Sequence, residues 1–545
     1  MKKVNVKKYL HMSPFEVKNE LIALANQHAL EENKKGKKKK VLNTVLNAGR
    51  GNPNFLNTTV RQAIGYFHLF AAHQAAKLSK RKDIGLRPER KNIKADLLKF
   101  LHTLPKNAGS KFLKESIEFA IKTYKFDEDL FLFEMIDATV GDFYPMPSRI
   151  LPHVEIITRK YIEKILCYDH QLPKGKFDLF ATEGATAAMI YIFRSLKRNQ
   201  LLKARDHIAI ISPIFSPYLE IPHLKEYNLV EILVKGDEKL DWQIPDEELK
   251  KLEDKSVKAL YLVNPTNPTS VALHKHTIKK IANLIKTKRK DLIIITDTVY
   301  STFVDEFDSL IKYIPENTLC VYSYSKYFGV TGWRLGAIML RENNIMDKKI
   351  AKLPAKDKKM LRDCYSTVDV DPDHIKFIDR LMIDSREPAL AHTSGLSCPQ
   401  QAAMVFFSLF ELMDKKQIYK KAIHKILTER IRDLYKYLKM PAPAKKGHTY
   451  YYTMLNILEM AEKKHGKAFA KHLKDHIQPL EFLFRLAGDY GVVCLPGEGF
   501  AGPKWSLRVS LANLPFECYS QIGSHISSLI KDFYSEFSRN KRKKR

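Results

Sequence analysis

Short apolar runs recur between residues 177 and 340, and stretches with helical spacing separate them. This alternation is typical of a mainly parallel sheet built from strand–helix units, because parallel strands need crossover connections. It predicts an α/β fold, and the seven predicted strands are residues 179–182, 207–212, 229–234, 259–263, 292–296, 319–323 and 335–340. Ligands of such sheets bind beyond the carboxyl ends of the strands.

The stretch VYSYSKYFGVTGWRLG, residues 321–336, places Lys326 after one of these strands, in a loop of small and turn-forming residues. Desolvation of a lysine there lowers the pKa of its amine and frees it to attack a carbonyl. Ser323, Ser325 and Arg334 carry the hydroxyl and guanidinium groups that hold phosphate. The stretch indicates a Schiff-base lysine beside a phosphate site, with a solvated lysine next to a core strand as the ordinary alternative.

Other polar candidates follow other predicted strands. Glu183 is followed by Gly184, Ala185 and Thr186, which open a helix whose free amides can receive a phosphate. The turn NPTNPT, residues 264–269, is stiffened by two X-Pro pairs and presents the amide of Asn267. Asp297 ends a buried strand, where a carboxylate is costly unless it is paired.

The last predicted strand carries an arginine. Residues 506–511, SLRVSL, alternate so that Arg508 projects on the same face as Ser506 and Ser510. An arginine in an apolar, aromatic neighbourhood favours a carboxylate partner, which its planar fork grips with two hydrogen bonds. A structural salt bridge is the alternative.

The spacing S-x-S-K-x-x-G-x-x-G-x-R-x-G resembles the cofactor-lysine motif of fold-type-I pyridoxal-phosphate enzymes of the aspartate aminotransferase kind. The resemblance implies a large domain with a seven-stranded sheet, a smaller α+β domain, and pyridoxal 5'-phosphate as the cofactor. It implies that Lys326, Asp297 and Tyr300 are catalytic, with Asp297 at the pyridine nitrogen. Ser270 departs from the motif N-P-x-N-P-T-G, in which glycine is usual.

The same resemblance assigns the remaining contacts. It implies a phenolic-oxygen contact from Asn267 and Tyr300, a ring stacked on the pyridine from Phe215 or Tyr218, and an α-carboxylate contact from Arg508. It also implies that a loop tyrosine, Tyr144, reaches the cofactor phosphate of the neighbouring subunit. The residues expected at the cofactor are Tyr144, Gly184, Ala185, Thr186, Phe215, Asn267, Asp297, Tyr300, Ser323, Ser325, Lys326 and Arg334.

Four further segments narrow the resemblance. NAGRGNPN, GDFYPMPS, ATEGATAAM and NPTNPTS, together with the 545-residue length, most resemble the bifunctional aspartate aminotransferase and aspartate 4-decarboxylase family. This implies β-decarboxylation of L-aspartate to L-alanine and CO₂, with transamination of 2-oxo acids as a side activity. It implies a homodimer that completes the active site, and leaves open whether dimers form a dodecameric ring. Arg50 is the hypothesis for the β-carboxylate, beside the substrate contacts of Arg508 and Asn267.

Two other functions remain open at this point. One is a plain aminotransferase for aspartate or an aromatic amino acid, which product analysis distinguishes. The other is a non-catalytic regulator that binds nucleic acid, suggested by the net charge of +31. Much of that charge lies in two runs, residues 34–40 and 539–545, which are expected to be solvated or disordered. They lack interleaved aromatic residues, which argues against nucleic-acid binding.

Composition sets the remaining expectations. The apolar content of 45% is that of a globular protein, and there is no run of about 18 apolar residues, so a cytoplasmic enzyme without membrane contact is expected. Six scattered cysteines indicate free thiols, and neither a disulfide framework nor a metal site.

The predicted domains are an N-terminal arm and helices contributing to the small domain (1–140), the large cofactor domain (141–395) and a C-terminal small domain with a basic tail (396–545). Residues 343–392 are expected to be an insertion that serves subunit contact.

Overall fold

The computed structural model describes residues 9, 12, 14–34, 45–81, 83–169, 172–444 and 446–543. The strands are β1 (Leu46–Asn47), β2 (Phe177–Thr182), β3 (His207–Ser212), β4 (Val230–Lys235), β5 (Val257–Val263), β6 (Ile293–Asp297), β7 (Thr318–Ser323), β8 (Gly336–Arg341), β9 (Tyr452–Asn456), β10 (Val492–Val493), β11 (Leu495–Pro496) and β12 (Ser506–Ser510). The helices are α1 (Pro14–Lys34), α2 (Thr58–Ala76), α3 (Ile93–Thr103), α4 (Ala108–Tyr124), α5 (Glu128–Val140), α6 (Pro152–Leu166), α7 (Ala185–Arg198), α8 (Ser216–Glu220), α9 (Asp246–Leu249), α10 (Lys275–Lys288), α11 (Leu310–Tyr313), α12 (Ile345–Ala351), α13 (Ala355–Tyr365), α14 (Phe377–Asp384), α15 (Cys398–Met413), α16 (Ile418–Leu438), α17 (Ile457–His465), α18 (Lys467–His476), α19 (Pro479–Tyr490) and α20 (Glu517–Lys543).

Seven strands form the central sheet, in the order β2-β8-β7-β6-β5-β3-β4. Strand β8 is antiparallel to both of its neighbours, and the other pairs are parallel. Each strand overlaps its predicted counterpart and differs from it by at most two residues at either end. The prediction of a mainly parallel α/β sheet is confirmed.

Helices cover both faces of this sheet. In β6, Ile293 and Ile295 are buried in one core with Ile192 of α7, whereas Ile294 is buried in another core with Ile281 of α10. Successive side chains of a strand point to opposite faces, so a strand buried on both sides reads as a continuous apolar run. This is why the sequence pattern located the sheet.

The C-terminal part has its own small sheet, the antiparallel β11-β12-β9. Two N-terminal elements join it: β1 pairs with β10 in parallel, and α1 packs against α19. The segment that follows β1 is therefore held against the C-terminal part. The three predicted domain limits stay a prediction.

Some helices differ from expectation. The spacing of apolar residues over 95–124 predicts a continuous helical stretch. The structure has two helices there, α3 and α4, because Pro105 interrupts the pattern and the side chain of Asn107 caps the second helix. Helix α5 was not expected. The segment 343–392 contains α12 to α14, and its apolar side chains Phe377 and Leu381 are buried in the core that α7 shares.

The two lysine-rich runs have different outcomes. Residues 35–44, which hold most of the first run, lie outside the described residues. The C-terminal run was expected to be solvated or disordered, and residues 539–541 are exposed, while the backbone of 539–543 continues α20. No helix within the described ranges is both long and apolar enough to span a membrane.

Candidate active site

A cavity of about 490 Å³ lies at the carboxyl ends of the sheet strands. Residues that follow β5, β6 and β7 line it, together with β12 of the small sheet and residues 49–52 after β1. The predicted site residues on its wall are Arg50, Ala185, Thr186, Phe215, Asn267, Asp297, Tyr300, Ser323, Ser325, Lys326, Arg334 and Arg508. The structure thus brings together residues spread over most of the chain, and their individual roles stay predictions.

Lys326 follows β7 and points its amine at the loop after β1, where Nζ donates a hydrogen bond to the Gly51 carbonyl oxygen at 3.2 Å. Burial and the positive charges of Arg508 and Arg334 lower the pKa of this amine to about 8. The charge of Asp297 opposes this shift. A substantial fraction of the amine is therefore neutral, and nucleophilic, slightly above neutral pH.

The start of α7 and the loop after β7 form an anion cradle. Gly184 precedes the helix with φ +85°, and a Cβ at this position would lie 2.8 Å from Nη2 of Arg334. That Nη2 donates to the Glu183 carbonyl oxygen at 2.8 Å, so the guanidinium is fixed beside the helix N-terminus. The Ser323 and Ser325 hydroxyls are 2.9 Å apart. Free helix amides, hydroxyls and a guanidinium are the groups that bind a phosphate.

Asp297 ends β6 and is only 3% exposed. Its carboxylate accepts hydrogen bonds from the Tyr218 hydroxyl at 2.8 Å and from the Val299 amide at 2.9 Å. Burial raises the pKa of this carboxyl to about 6. Tyr218, the other ring that could stack on the cofactor, lines the cavity together with Phe215, so the choice between the two rings stays a prediction.

Replacing Asp297 with asparagine is expected to stabilise the cofactor-free protein at neutral and alkaline pH. The pKa of the folded carboxyl, about 6, lies above its ordinary value of 3.8, so stability falls as the pH rises through this range. By linkage, the gain in the variant is near zero at about pH 4 and approaches about 3 kcal/mol at about pH 8. Urea unfolding at the two pH values measures it.

The matched control is Asp291→Asn, because a hydrogen bond from Arg289 lowers the pKa of Asp291. This replacement should give no gain at high pH. A stability difference for Asp297→Asn that does not change between the two pH values would contradict the buried-carboxylate interpretation.

Arg508 lies on β12 and is 2% exposed. Its Nη1 donates to Oδ1 of Asn267 at 3.1 Å, its Nη2 donates to the Gly49 carbonyl oxygen at 2.7 Å, and its buried Nε has no hydrogen-bond partner. Among the described residues it forms no salt bridge. Burial lowers the pKa of this guanidinium. A buried cation held only by neutral oxygens is prepared to receive a carboxylate.

Tyr300 also lines the cavity, and its hydroxyl is 3.0 Å from the hydroxyl of Tyr452 on β9. Burial raises the pKa of Tyr300 well above its usual range, so this phenol keeps its proton. The amide oxygen of Asn267 accepts the hydrogen bond from Arg508, so the amide nitrogen is the group of Asn267 that can donate to a ligand.

Two cations line the cavity near the segment after β1. Arg50 was predicted and is exposed. Lys18, on α1, was not predicted. Burial, with Arg50 and Arg508 nearby, lowers the pKa of Lys18. No motif surrounds Lys18 in the sequence, and only the packing of α1 onto the C-terminal part brings it here.

Tyr144 is the predicted site residue that lies apart from this cavity. Its side chain is 64% exposed, and its ring contacts His392 edge-on at a centroid distance of 6.2 Å. Within one chain it therefore does not complete the site. The expectation that it serves a neighbouring subunit stays a prediction.

The chain is similar to known proteins along most of its length. The model of the family "Aminotransferase class I and II" matches residues 159–522. The chain is 41% identical over 529 residues to the bifunctional aspartate aminotransferase and L-aspartate beta-decarboxylase of Pseudomonas sp, with 97% of each chain covered. It is 29% identical over 212 residues to an aspartate aminotransferase of Pyrococcus horikoshii, covering 38% of this chain and 50% of that one.

Solved structures agree on the fold. The putative kynurenine aminotransferase Bna3p of Saccharomyces cerevisiae has a TM-score of 0.57 at 15% identity, with 96% of this chain and 97% of that chain covered. A double mutant of Thermus thermophilus aspartate aminotransferase has a TM-score of 0.54 at 16% identity, with 93% and 96% covered. Because the family match spans all seven strands of the large sheet and a relative is similar over nearly its full length, the chain belongs to the class I and II aminotransferases, in the branch that contains bifunctional aspartate aminotransferase and L-aspartate beta-decarboxylase.

Proposed function

We propose that this protein is a pyridoxal 5'-phosphate enzyme that converts L-aspartate to L-alanine and CO₂ and also transaminates L-aspartate with 2-oxo acids. The observation that carries the proposal is that Lys326 and Arg508 share one cavity with two further cations, Lys18 and Arg50. These charges match a substrate with two carboxylates. The similarity to the Pseudomonas sp enzyme, over nearly the full length of both chains, supports the same pair of activities.

The residues of the cavity fit the cofactor. Asp297 is a buried carboxylate whose hydrogen bonds come from neutral donors, which suits a protonated pyridine nitrogen. The cradle at the start of α7 suits the phosphate, with Gly184, Ala185, Thr186, Ser323, Ser325 and Arg334 as its contacts. Phe215 would offer a ring face, and Asn267 and Tyr300 would hydrogen-bond the phenolic oxygen. When bound, the cofactor supplies an aldehyde and an electron-withdrawing ring that stabilises negative charge on the substrate carbons.

Residues of the chain itself bind the substrate and transfer the protons. Arg508 binds the α-carboxylate through its planar fork and so holds the substrate in the cavity that Lys326 lines. Neutral Lys326 accepts the Cα proton at Nζ, which its lowered pKa permits near pH 8. Asp297 holds a proton at the ring nitrogen. In transamination, oxaloacetate leaves first, and the amino group retained at the site then passes to the 2-oxo acid, which leaves as an amino acid.

Decarboxylation needs a second set of contacts. The β-carboxylate must be oriented and yet leave as CO₂, and only interactions that are stronger in the transition state accelerate this loss. We assign Arg50 and Lys18 to this carboxylate. Because Arg50 is exposed, solvent screens its charge, so it orients the group with little stabilisation of the ground state. After CO₂ leaves, a proton added at Cβ gives the methyl group, and Lys326 returns a proton to Cα, which gives alanine.

Replacing Arg50 with alanine is expected to raise the KM for L-aspartate by about fivefold, the value of a partly screened ion pair. The reaction with L-alanine, which lacks the β-carboxylate, should be unchanged. Steady-state kinetics with both amino acids measure this. The control is Arg90→Ala, an exposed arginine paired with Asp127 far from the cavity lining. Unchanged aspartate kinetics would exclude Arg50 and leave Lys18 for this role.

The proposed function itself is tested with purified protein, L-aspartate and pyridoxal 5'-phosphate. Alanine and CO₂ in equal amounts, followed by mass, are the expected result. Oxaloacetate formed only with an added 2-oxo acid, without CO₂, would mean a plain aminotransferase. Reaction with aromatic amino acids but not with aspartate would exclude the aspartate assignment.

A homodimer is the assembly we propose. In support, the loop that contains Tyr144 presents large exposed side chains, with Tyr144 at 64% and Met146 at 77% exposure. Such apolar exposure suits burial against a second copy of the chain. Tyr144 would then contact the phosphate cradle of the other subunit. Sedimentation of the cofactor-loaded protein tests this, since a monomer would contradict it, and a larger ring of dimers stays a prediction.

A further inference from the structure

Two consecutive tyrosines at the start of β9 reach the active site: Tyr451, which precedes the strand, and Tyr452, its first residue. The hydroxyl of Tyr451 donates to the Gly51 carbonyl oxygen at 2.8 Å, which also accepts from Lys326. The ring and the hydroxyl of Tyr452 make two different contacts. Neither tyrosine was expected at the site from the sequence, where both belong to an ordinary aromatic strand.

The ring of Tyr452 lies over Arg508. The guanidinium carbon is 4.4 Å from the centroid of Tyr452 and 4.9 Å from the centroid of Phe500. Contacts of this kind attract a cation electrostatically, and they are strongest where water is excluded. Here they act on an arginine that is 2% exposed and has only neutral oxygens as hydrogen-bond partners. The two rings therefore stabilise the charge and restrict the plane of the guanidinium.

The hydroxyl of Tyr452 lies 3.0 Å from the hydroxyl of Tyr300. Both phenols are fully enclosed, with exposures of 1% and 2%. If Tyr452 donates to the Tyr300 oxygen, the single proton of Tyr300 is left to point elsewhere, and Tyr300 lines the cavity. This arrangement would make Tyr300 a donor toward the cofactor.

Space around this hydroxyl is limited by the segment after β1. A Cβ added at Gly51 would lie 2.6 Å from the Tyr452 oxygen and 3.6 Å from Nζ of Lys326. The hydroxyl is thus confined between Gly51 and Tyr300. A confined donor keeps one orientation, which is what a positioning group requires.

We propose that Tyr452 is a positioning residue with two separable actions: its ring fixes the Arg508 guanidinium for the substrate carboxylate, and its hydroxyl directs the Tyr300 proton toward the cofactor. The proposal rests on the proposed function, because it assigns these actions to that same site. One side chain thereby links the carboxylate contact to the cofactor contact. The ring action should appear in substrate binding, and the hydroxyl action in turnover.

Two replacements separate the actions. Tyr452→Phe keeps the ring over Arg508 and removes the hydroxyl, and Tyr452→Leu removes both. Succinate, a dicarboxylate without an amine, probes binding alone, by calorimetry on the cofactor-loaded protein. We expect Tyr452→Phe to bind succinate within about twofold of wild type and to lose about five- to tenfold in kcat, the value of one buried hydrogen bond. We expect Tyr452→Leu to lose about tenfold in succinate affinity as well.

The matched control is Tyr435→Phe. Tyr435 is a buried tyrosine whose hydroxyl pairs at 2.8 Å with Thr453, the neighbour of Tyr452 on β9, and it does not line the cavity. It should leave succinate affinity and kcat unchanged. Melting temperatures of all variants identify a general loss of structure, and a loss of kcat that follows the melting temperature in both tyrosine positions would overturn the proposal.

Two other outcomes also overturn it. One is a Tyr452→Phe protein with wild-type kcat. The other is a loss of succinate affinity in Tyr452→Phe that equals the loss in Tyr452→Leu. Failure of the proposed function looks different: wild type would bind succinate with the expected order of variants but would not form alanine and CO₂ from aspartate.

Discussion

Replacing Lys326 with alanine is expected to lower both decarboxylation and transamination of L-aspartate by about 10⁴-fold or more. Under the proposed function this amine has two tasks, attack on the cofactor aldehyde and acceptance of the Cα proton. Its pKa of about 8, set by burial and by Arg508 and Arg334, suits both tasks near neutral pH. Product formation by mass is the first measurement.

A second measurement identifies the lysine to which the cofactor is attached. Borohydride reduction of the cofactor-loaded wild type should fix the cofactor to the peptide that contains Lys326, and the alanine variant should carry no such adduct. Lys359→Ala, an exposed lysine of α13, is the control and should behave as wild type. An adduct on another lysine, such as Lys18, would contradict the assignment.

The meeting of the site residues in one cavity was predictable because a parallel sheet brings the carboxyl ends of its strands to one edge. Asp297 ends β6 and Lys326 follows β7. Both strands are apolar runs buried on both faces, and such runs are easy to find in a sequence. Arg508 was predictable for a different reason, since strand alternation aims it to one face. Arg334 was found through its motif spacing, and Gly184 because it opens a helix directly after a predicted strand.

What the sequence did not indicate comes from contacts between distant segments. Lys18 reaches the cavity only because α1 packs against α19, and nothing in an amphipathic helix marks one lysine as special. Nothing local marks Tyr452 among the aromatic residues of its strand. The pairing of β9 with β12 places it opposite Ser510, two residues from Arg508 and on the same face of β12. Tertiary pairing of this kind is not encoded in local periodicity.

Local chemistry also accounts for the errors in the helical region. A proline and a capping asparagine, Pro105 and Asn107, divide the helical pattern that was expected to continue. In the basic tail, a helix continues where the sequence did not predict one. A charge run alone suggests a solvated coil, but the apolar side chains that precede it, among them Phe533, are buried and anchor α20, which continues through residue 543.

Replacing Arg508 with glutamine is expected to raise the KM for L-aspartate and the dissociation constant for succinate by about 100- to 1,000-fold. Loss of a buried, charge-assisted carboxylate contact costs about 3 to 4 kcal/mol, which corresponds to this range. Stability should respond differently. Two hydrogen bonds, to Asn267 and Gly49, are weakened, but a buried charge without an acidic partner is removed. These effects offset each other, so the free energy of unfolding without substrate should change by less than about 1 kcal/mol.

Calorimetric titration with succinate and urea unfolding measure the two quantities on the same preparation. Arg485→Gln is the control, because Arg485 also stacks on an aromatic ring, at 4.2 Å from Phe533, but pairs with Glu536 away from the cavity. It should keep wild-type succinate affinity. If Arg508→Gln bound succinate normally yet unfolded far more easily, Arg508 would be a structural cation of the small sheet, and the substrate α-carboxylate would need another partner among Lys18 and Arg50.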